Sequence, residues 1–219
     1  MKGIIYVAVA LVAGATGYAI YHFALAPRIG DAAPLATISQ PPAPDSQTRP
    51  AGAPDTLPDF TLADMEGKPR SIRSWPDKSM IVNFWATWCA PCRREIPLLK
   101  ELQQTRGGEG FQVVGVAVDV REDVVKYAND IKIDYPLIMG EQDGLEAVGK
   151  FGLGSIGFPF TVFTDNQHRI VVTHLGELHK PEANVILDLV ARVNSGELTP
   201  AAARAMAATQ LEQLDHPEA

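Results

Sequence analysis

Cysteine is scarce in this chain of 219 residues, which has only two, and the sequence has no excess of basic residues. Its 19 Lys and Arg residues against 26 Asp and Glu residues give a formal net charge of -7. Such a chain is not attracted to nucleic acids or to anionic lipid surfaces, so no nucleic-acid partner is predicted. The sequence also lacks internal repeats and tracts rich in methionine or histidine, and the second absence leaves copper binding without support.

The two cysteines lie three residues apart, in the run Trp88-Cys89-Ala90-Pro91-Cys92. They follow an apolar segment, residues 80–85, that predicts a buried strand, and they precede a helical pattern over residues 90–105. A helix that begins at Cys89 places its sulfur beside unpaired backbone N–H groups, which stabilise a thiolate. Lowering a cysteine pKa from about 8.5 to near 7 needs about 2 kcal/mol, which this position can supply. The context predicts a redox-active dithiol in which Cys89 attacks and Cys92 resolves.

Two other uses of the cysteine pair compete with redox chemistry. A zinc site could add His174 and His179, whose spacing suits a site with two cysteines and two histidines. Zinc motifs of this kind are compact, whereas about eighty residues separate these histidines from the cysteines. His174 is instead predicted to end a strand and His179 to begin a surface helix. A purely structural disulfide would close a loop too short to stabilise the chain much. No metal and no other cofactor is predicted.

The first 26 residues form one hydrophobic segment, in which residues 4–25 contain no Asp, Glu, Lys or Arg. About twenty apolar residues cross a bilayer core of roughly 30 Å, so residues 1–26 are predicted to be a transmembrane anchor. A cleaved signal peptide is the alternative, because Ala24-Leu25-Ala26 resembles a cleavage site. The absence of cysteine here excludes a lipid-modified cysteine anchor.

Charge at the start of the chain predicts its orientation. Lys2 and the α-amino group place the N-terminus in the cytoplasm by the positive-inside rule, and the cysteines outside it. We therefore expect a single-pass inner-membrane protein with its catalytic domain in the periplasm. Dithiols there must be kept reduced by a dedicated donor. Residues 27–56 are rich in proline and alanine and are predicted to be a linker.

Apolar runs and helical patterns alternate along residues 57–196, which are predicted to form one domain. The predicted strands cover residues 59–62, 70–72, 80–85, 111–118, 136–139, 160–164 and 170–174. The predicted helices cover residues 90–105, 121–132, 145–151 and 181–193. This order predicts an α/β domain with a mixed sheet flanked by helices. Residues 197–219 are predicted to be a C-terminal helical extension with a solvated polar face, in which Met206, Leu211 and Leu214 could dock on the domain.

Three segments together resemble a known family. They are Asp59-Phe60-Thr61-Leu62, residues 81–97 around the two cysteines, and Gly157-Phe158-Pro159-Phe160-Thr161. In this order they are similar to the TlpA/ResA family of membrane-anchored thioredoxin-like disulfide reductases, over roughly residues 57–193. The resemblance implies a thioredoxin-like fold with an N-terminal hairpin and a central insertion. It also implies reduction of disulfide-bearing extracytoplasmic proteins, with a membrane electron donor for re-reduction.

The resemblance also implies which residues meet the substrate. It implies a cis peptide bond between Phe158 and Pro159, set beside the dithiol, where backbone groups pair with an extended substrate strand. Trp88 and Pro91 lie in the cysteine motif itself. Trp88, Pro91, Phe158 and Pro159 are accordingly predicted to bind substrate.

The resemblance implies that Glu95 is a third catalytic residue, after Cys89 and Cys92. It follows Cys92 by three residues on the predicted helix, where a buried carboxylate with a raised pKa can relay protons to or from Cys92. A surface glutamate paired with Arg or Lys is the alternative. Thioredoxin has a buried aspartate on the strand before its dithiol, whereas this chain has Asn83, which cannot titrate. That difference favours a proton-transfer role for Glu95.

Several functions remain open from the sequence. Pro91 resembles the reducing members of the family, which predicts a reductase, but the same dithiol could act as a thiol oxidase. A peroxiredoxin-like peroxidase shares the Phe60-Thr61-Leu62 pattern, although its reactive cysteine is framed differently. A copper-binding assembly factor would use both thiols as ligands. Apocytochrome c, an oxidase assembly factor and misfolded proteins in general are the candidate clients, with cytochrome c biogenesis as one expected setting.

Overall fold

The computed structural model describes residues 53–154 and 157–215. The predicted anchor, residues 1–26, and most of the predicted linker lie outside these ranges. Within them, no helix is both long enough and apolar enough to cross a bilayer. The chain joins the folded domain slightly before residue 57. Thr56 forms a β-bridge with Arg169, and the Leu57 N–H donates to the His168 carbonyl at 2.8 Å.

Seven strands form one mixed sheet in the described part of the chain. They are β1 (Thr61–Asp64), β2 (Pro69–Ser71), β3 (Ser79–Trp85), β4 (Phe111–Ala117), β5 (Leu137–Met139), β6 (Phe160–Thr164) and β7 (Ile170–Leu175). Their order across the sheet is β2-β1-β5-β4-β3-β6-β7. β3, β4 and β5 are parallel, and the hairpins β1-β2 and β6-β7 extend the sheet by antiparallel pairing.

Helices connect and flank these strands. They are α1 (Ala90–Arg106), α2 (Arg121–Ile131), α3 (Gln142–Gly149), α4 (Lys180–Asn194) and α5 (Pro200–Asp215), with a 3₁₀ turn at Gly107–Glu109. This is the mixed α/β sheet with flanking helices that the sequence predicts. β1-β2 forms the predicted N-terminal hairpin.

Strand β3 lies near the middle of the sheet, and all seven of its residues are buried. It pairs with β4 on one side and β6 on the other. Because strand side chains alternate between faces, Ile81 and Trp85 belong to one apolar cluster and Met80, Val82 and Phe84 to the other. Asn83 shares the face of Ile81 and Trp85. The strand therefore places one polar side chain on the core face that helix α1 also covers.

Helix α3 begins and ends earlier than the sequence predicts. The prediction placed it over residues 145–151, whereas it covers Gln142–Gly149. Phe151 lies beyond its end and is only 1% exposed, packed edge-on against Phe84 with ring centroids 5.1 Å apart. The apolar character of Phe151 therefore reflects its place in the core and not a helical face.

Helix α5 docks on the domain through small side chains. Ala203 and Ala207, four residues apart and so on one helix face, are 0% and 2% exposed. The helix packs against α4 and β7, and the Arg204 guanidinium donates to the Ile170 carbonyl at 2.8 Å. Met206 and Leu211 are partly buried there, but Leu214 is 40% exposed. The predicted docking is thus confirmed for Met206 and Leu211 and wrong for Leu214.

Replacing Ala203 by glutamate tests this docking. A carboxylate at a fully buried alanine meets close-packed atoms and has no partner, so we expect a loss of about 2 to 4 kcal/mol in the free energy of unfolding. Ala205→Glu, at an exposed position of the same helix, is the matched control and should change stability by less than about 0.5 kcal/mol. Equal urea midpoints for the two variants would mean that α5 does not dock in solution.

Candidate active site

The cysteine pair lies at the start of helix α1, directly after the turn that follows β3. Cys89 is the N-cap residue, and its Sγ accepts a hydrogen bond from the Cys92 N–H at 3.3 Å. The two residues form a disulfide with Cα atoms 5.3 Å apart. Cys92 is 0% exposed and Cys89 is 5% exposed. A client can therefore reach the Cys89 sulfur first, and the helix N-terminus stabilises the thiolate there.

The two histidines considered for a zinc site have other contacts. His174 Nε2 lies 3.3 Å from the Glu177 carbonyl oxygen and 3.8 Å from the Glu182 carboxylate. His179 is the N-cap residue of α4, as predicted for a helix start. Across residues 53–154 and 157–215, no three side chains of His, Cys, Asp or Glu are grouped so that they could hold a metal ion.

An aspartate that the sequence did not single out holds the turn before the cysteines. Asp119 Oδ2 accepts from the Thr87 N–H at 2.9 Å and from the Thr87 hydroxyl at 2.5 Å. Asp119 follows β4, which runs parallel to β3, so the residues after both strands meet at one edge of the sheet. Its place as a polar residue just after a buried strand was the sequence signal that could have identified Asp119. The contact fixes the backbone that leads into Trp88 and Cys89.

The residues predicted to bind substrate lie beside the pair. The Phe158–Pro159 peptide bond is cis, as the resemblance implies. The Trp88 ring is 68% exposed and lies 6.0 Å from the Phe158 ring between centroids, in an edge-on arrangement. Pro91 is half-buried in the first turn of α1. Pro159 is buried, and its carbonyl accepts from the Gly176 N–H at 2.9 Å. Trp88 and Phe158 thus form a joint apolar surface next to Cys89.

Glu95 is buried within the core, with only 1% of its surface exposed. Its Oε1 accepts from Asn83 Nδ2 at 2.7 Å, and its Oε2 accepts from the Leu178 N–H at 2.8 Å. Burial raises the pKa of Glu95 from 4.5 to about 7, against the opposing effect of these two hydrogen bonds. The alternative of a surface ion pair is therefore wrong for Glu95. Its neighbour Arg94 makes that kind of pair, with Glu177.

Asn83 connects Glu95 to strand β6. Its Nδ2 also donates to the Thr161 hydroxyl at 3.0 Å, and both residues are 0% exposed. Asn83 and Thr161 are directly opposite in the antiparallel register of β3 and β6. Sequence reasoning missed Thr161 and Leu178, because only the pairing of distant strands brings them to Glu95. The result is a buried carboxylic acid one helical turn from Cys92, with a pKa close to neutral.

A dithiol at the N-terminus of a helix that follows the central strand of a mixed sheet, with a cis proline beside it, defines a thioredoxin-like thiol-disulfide oxidoreductase. The AhpC/TSA family model matches residues 53–174, and the chain belongs to this family. The fold and the cysteine motif agree with the resemblance that the sequence carries, and the relatives confirm it.

Two curated relatives carry names of this class. The thiol-disulfide oxidoreductase ResA of Geobacillus thermodenitrificans is 29% identical over 119 residues, which cover 54% of this chain and 67% of the relative. The thioredoxin-like protein YneN of Bacillus subtilis is 30% identical over 136 residues, which cover 60% of this chain and 76% of the relative. A crystal structure of a thioredoxin family thiol:disulfide interchange protein from Chlorobium tepidum is 33% identical, with a TM-score of 0.55 over 63% of this chain and 96% of that one.

Proposed function

We propose that this chain is a membrane-anchored protein disulfide reductase whose catalytic domain faces the periplasm. The hydrophobic segment over residues 1–26 supports the anchor, and the charge at its start supports the orientation. Disulfide-bearing extracytoplasmic proteins are the clients, and a membrane electron donor returns the pair to its reduced form. The name of ResA as a thiol-disulfide oxidoreductase supports the chemistry but leaves its direction open.

Glu95, the buried acid beside Cys92, is the observation that favours a reductase over a thiol oxidase. A strongly oxidising pair is one whose reduced form is stabilised as a thiolate. Glu95 opposes this, because an ionised carboxylate one helical turn from Cys92 disfavours a second negative charge in the same core. The reduced pair therefore gains little from thiolate formation beyond what the helix N-terminus gives Cys89. Such a pair transfers its electrons readily to a client.

The reaction proceeds in two exchanges. The Cys89 thiolate attacks one sulfur of the client disulfide, forms a mixed disulfide and releases the other client sulfur as a thiolate. Cys92 then loses its proton, attacks the Cys89 sulfur and releases the second client thiolate. Two electrons pass to the client, which takes up two protons, and the chain is left with the Cys89–Cys92 disulfide. Glu95 accepts the proton of Cys92 in the second exchange.

The reduction potential of the Cys89/Cys92 couple tests the direction of transfer. The 219-residue chain is equilibrated with glutathione buffers of known ratio, and the oxidised fraction is read from alkylation of free thiols. We expect a potential below about -220 mV, and a value above about -150 mV would convert the assignment to a thiol oxidase. If no reversible couple is found, a copper-binding role replaces the oxidoreductase assignment. Fast turnover of hydrogen peroxide by the reduced chain would instead favour the peroxidase.

A further inference from the structure

A groove of about 450 Å³ opens beside the dithiol. It runs from the Trp88 and Phe158 surface to the end of β4 and the start of α3. Its lining residues are Trp88, Val118, Asp119, Glu141, Gln142, Leu145 and Phe158. Because Trp88 directly precedes Cys89, any polypeptide held in this groove has its neighbouring residues at the attacking sulfur.

The groove has an apolar wall that is open to solvent. Trp88 is 68% exposed and Leu145 is 53% exposed, and both are among the few large apolar side chains at the surface of the described domain. Phe158 lies between them and the core, half-buried and in contact with Trp88. Exposed apolar side chains grouped in one concave site are typical of binding surfaces. This wall suits an apolar side chain of a bound polypeptide.

The rim of the groove is acidic. Asp119 and Glu141 line it, and Glu146, which lies outside the lining itself, follows the lining residue Gln142 by one turn on the same face of α3. Neither Glu141 nor Glu146 forms an ion pair with any residue in the described ranges, and both are exposed. Their charges are therefore not neutralised by the domain itself.

The nearby cations are directed elsewhere. Arg93 and Arg94 follow Cys92, but neither lines the groove, and Arg94 is paired with Glu177. The Arg121 guanidinium donates to the Met65 carbonyl at 2.5 Å, towards the N-terminal hairpin. A groove with negative charge on its rim attracts cationic ligands and repels anionic ones.

We infer that this groove selects its clients, and that it takes unfolded, extended polypeptide in which an apolar residue and Lys or Arg residues flank the disulfide. The inference rests on the proposed function and adds the chemistry of the client to it. The apolar residue contacts Trp88 and Leu145, and the cationic residues meet Glu141 and Glu146. Charge complementarity of this kind raises the association rate more than it slows dissociation. Cationic clients consequently reach Cys89 faster than anionic clients with the same disulfide.

A pair of synthetic peptides tests the inference. Both contain the same intramolecular disulfide and the same flanking leucine, and they differ only in carrying two lysines or two glutamates. The pre-reduced 219-residue chain is mixed with excess peptide in a stopped-flow instrument, and tryptophan fluorescence reports its oxidation. We expect the second-order rate constant to be about tenfold higher for the lysine peptide at low salt. The ratio should approach one above about 0.5 M salt, where exposed charges are screened.

Two double variants test whether the preference for the lysine peptide comes from the rim of the groove. Glu141→Gln with Glu146→Gln should reduce the tenfold ratio to about threefold or less, because it removes two charges from the rim. Asp188→Asn with Glu212→Gln also removes two negative charges, but from exposed positions of α4 and α5 outside the groove lining. This control should leave the ratio unchanged, which separates an effect of the rim from an effect of net charge.

A neutral disulfide, 2,2′-dithiodipyridine, separates the two proposals. The Asp188→Asn with Glu212→Gln control should react with it at the rate of the unchanged chain, and the reagent carries no charge for the rim to attract. If the neutral disulfide and both peptides are reduced, but the two peptides react equally fast or the glutamate peptide reacts faster, the groove does not select cationic clients, and the proposed function stands. If none of the three is reduced, the proposed function fails, and the inference fails with it.

Discussion

Replacing Cys92 by serine should stop turnover and leave client proteins covalently attached to Cys89. Cys92 is fully buried, so a client disulfide cannot reach it first, and its role falls in the second exchange. Without it, the mixed disulfide on Cys89 has no nearby thiol to release the client. We expect multiple-turnover reduction to fall by at least about 1000-fold, as for loss of a nucleophile that acts as part of a unit. Non-reducing gels of the variant, after exposure to a disulfide-bearing protein, should show the adduct.

Cys89→Ser is the matched control for this experiment. It removes the accessible sulfur at the helix N-terminus and should lose turnover to the same extent, but without trapping an adduct, because the remaining sulfur is buried. Adducts formed equally by both variants, or formed by Cys89→Ser alone, would reverse the assignment of the attacking and resolving cysteines.

Replacing Glu95 by glutamine should remove a large pH dependence from the stability of the oxidised chain. Burial raises the pKa of this carboxyl to about 7 in the folded state, against about 4.5 when unfolded. The folded state therefore holds the proton more tightly, and the unfolded state loses it first as pH rises. The stability that Glu95 contributes is fully present below about pH 4.5 and is lost as pH rises through 7. A shift of this size corresponds to about 3 kcal/mol.

Urea unfolding of the oxidised chain at pH 4.5 and pH 8.5 measures this effect. The unchanged chain should lose about 3 kcal/mol more between the two pH values than Glu95→Gln, which stays neutral throughout. Glu101→Gln, at an exposed position of the same helix, is the control and should follow the unchanged chain. Parallel curves for Glu95→Gln and the unchanged chain would mean that Glu95 titrates as an ordinary surface acid.

The same substitution should also slow the second exchange. Near pH 7 we expect release of the client from Cys89 to be about 100-fold slower in Glu95→Gln, the usual scale for loss of a general acid or base. The pH profile of this step reports apparent pKa values of the Glu95 and Cys92 pair, and the variant should lose one of its two limbs. A slower rate with an unchanged profile would indicate a packing role for Glu95 in place of proton transfer.

Local patterns predicted the parts of the molecule that are close in sequence. The continuous apolar run before Cys89 predicts β3, because a strand buried on both faces has no polar alternation. The Cys-x-x-Cys spacing is also a local pattern. It spans about one helical turn and therefore places both sulfurs at the start of α1. The resemblance to a family adds the cis peptide bond at Phe158–Pro159, which residues alone do not predict.

Long-range pairing accounts for what the sequence did not predict. The partners of Glu95 come from β3 and from the loop before α4, and the register of β3 against β6 brings Thr161 to Asn83. Helix α5 docks through Ala203 and Ala207, which carry no apolar periodicity strong enough to mark a buried face. The acidic lining of the groove combines Asp119, after β4, with Glu141, the N-cap residue of α3, and only the folded sheet brings these together.

The β-bridge between Thr56 and Arg169 fixes the point where the chain enters the folded domain. Arg169 belongs to the turn between β6 and β7, and β6 runs antiparallel to β3, so this turn lies at the end of β3 where Ser79 begins the strand. The cysteines lie past the other end, about 20 Å away for a strand of this length. The Thr56–Arg169 bridge and the dithiol thus lie at opposite ends of β3. A polypeptide bound at Cys89 therefore contacts the end of the sheet that is farther from the point where the chain enters it.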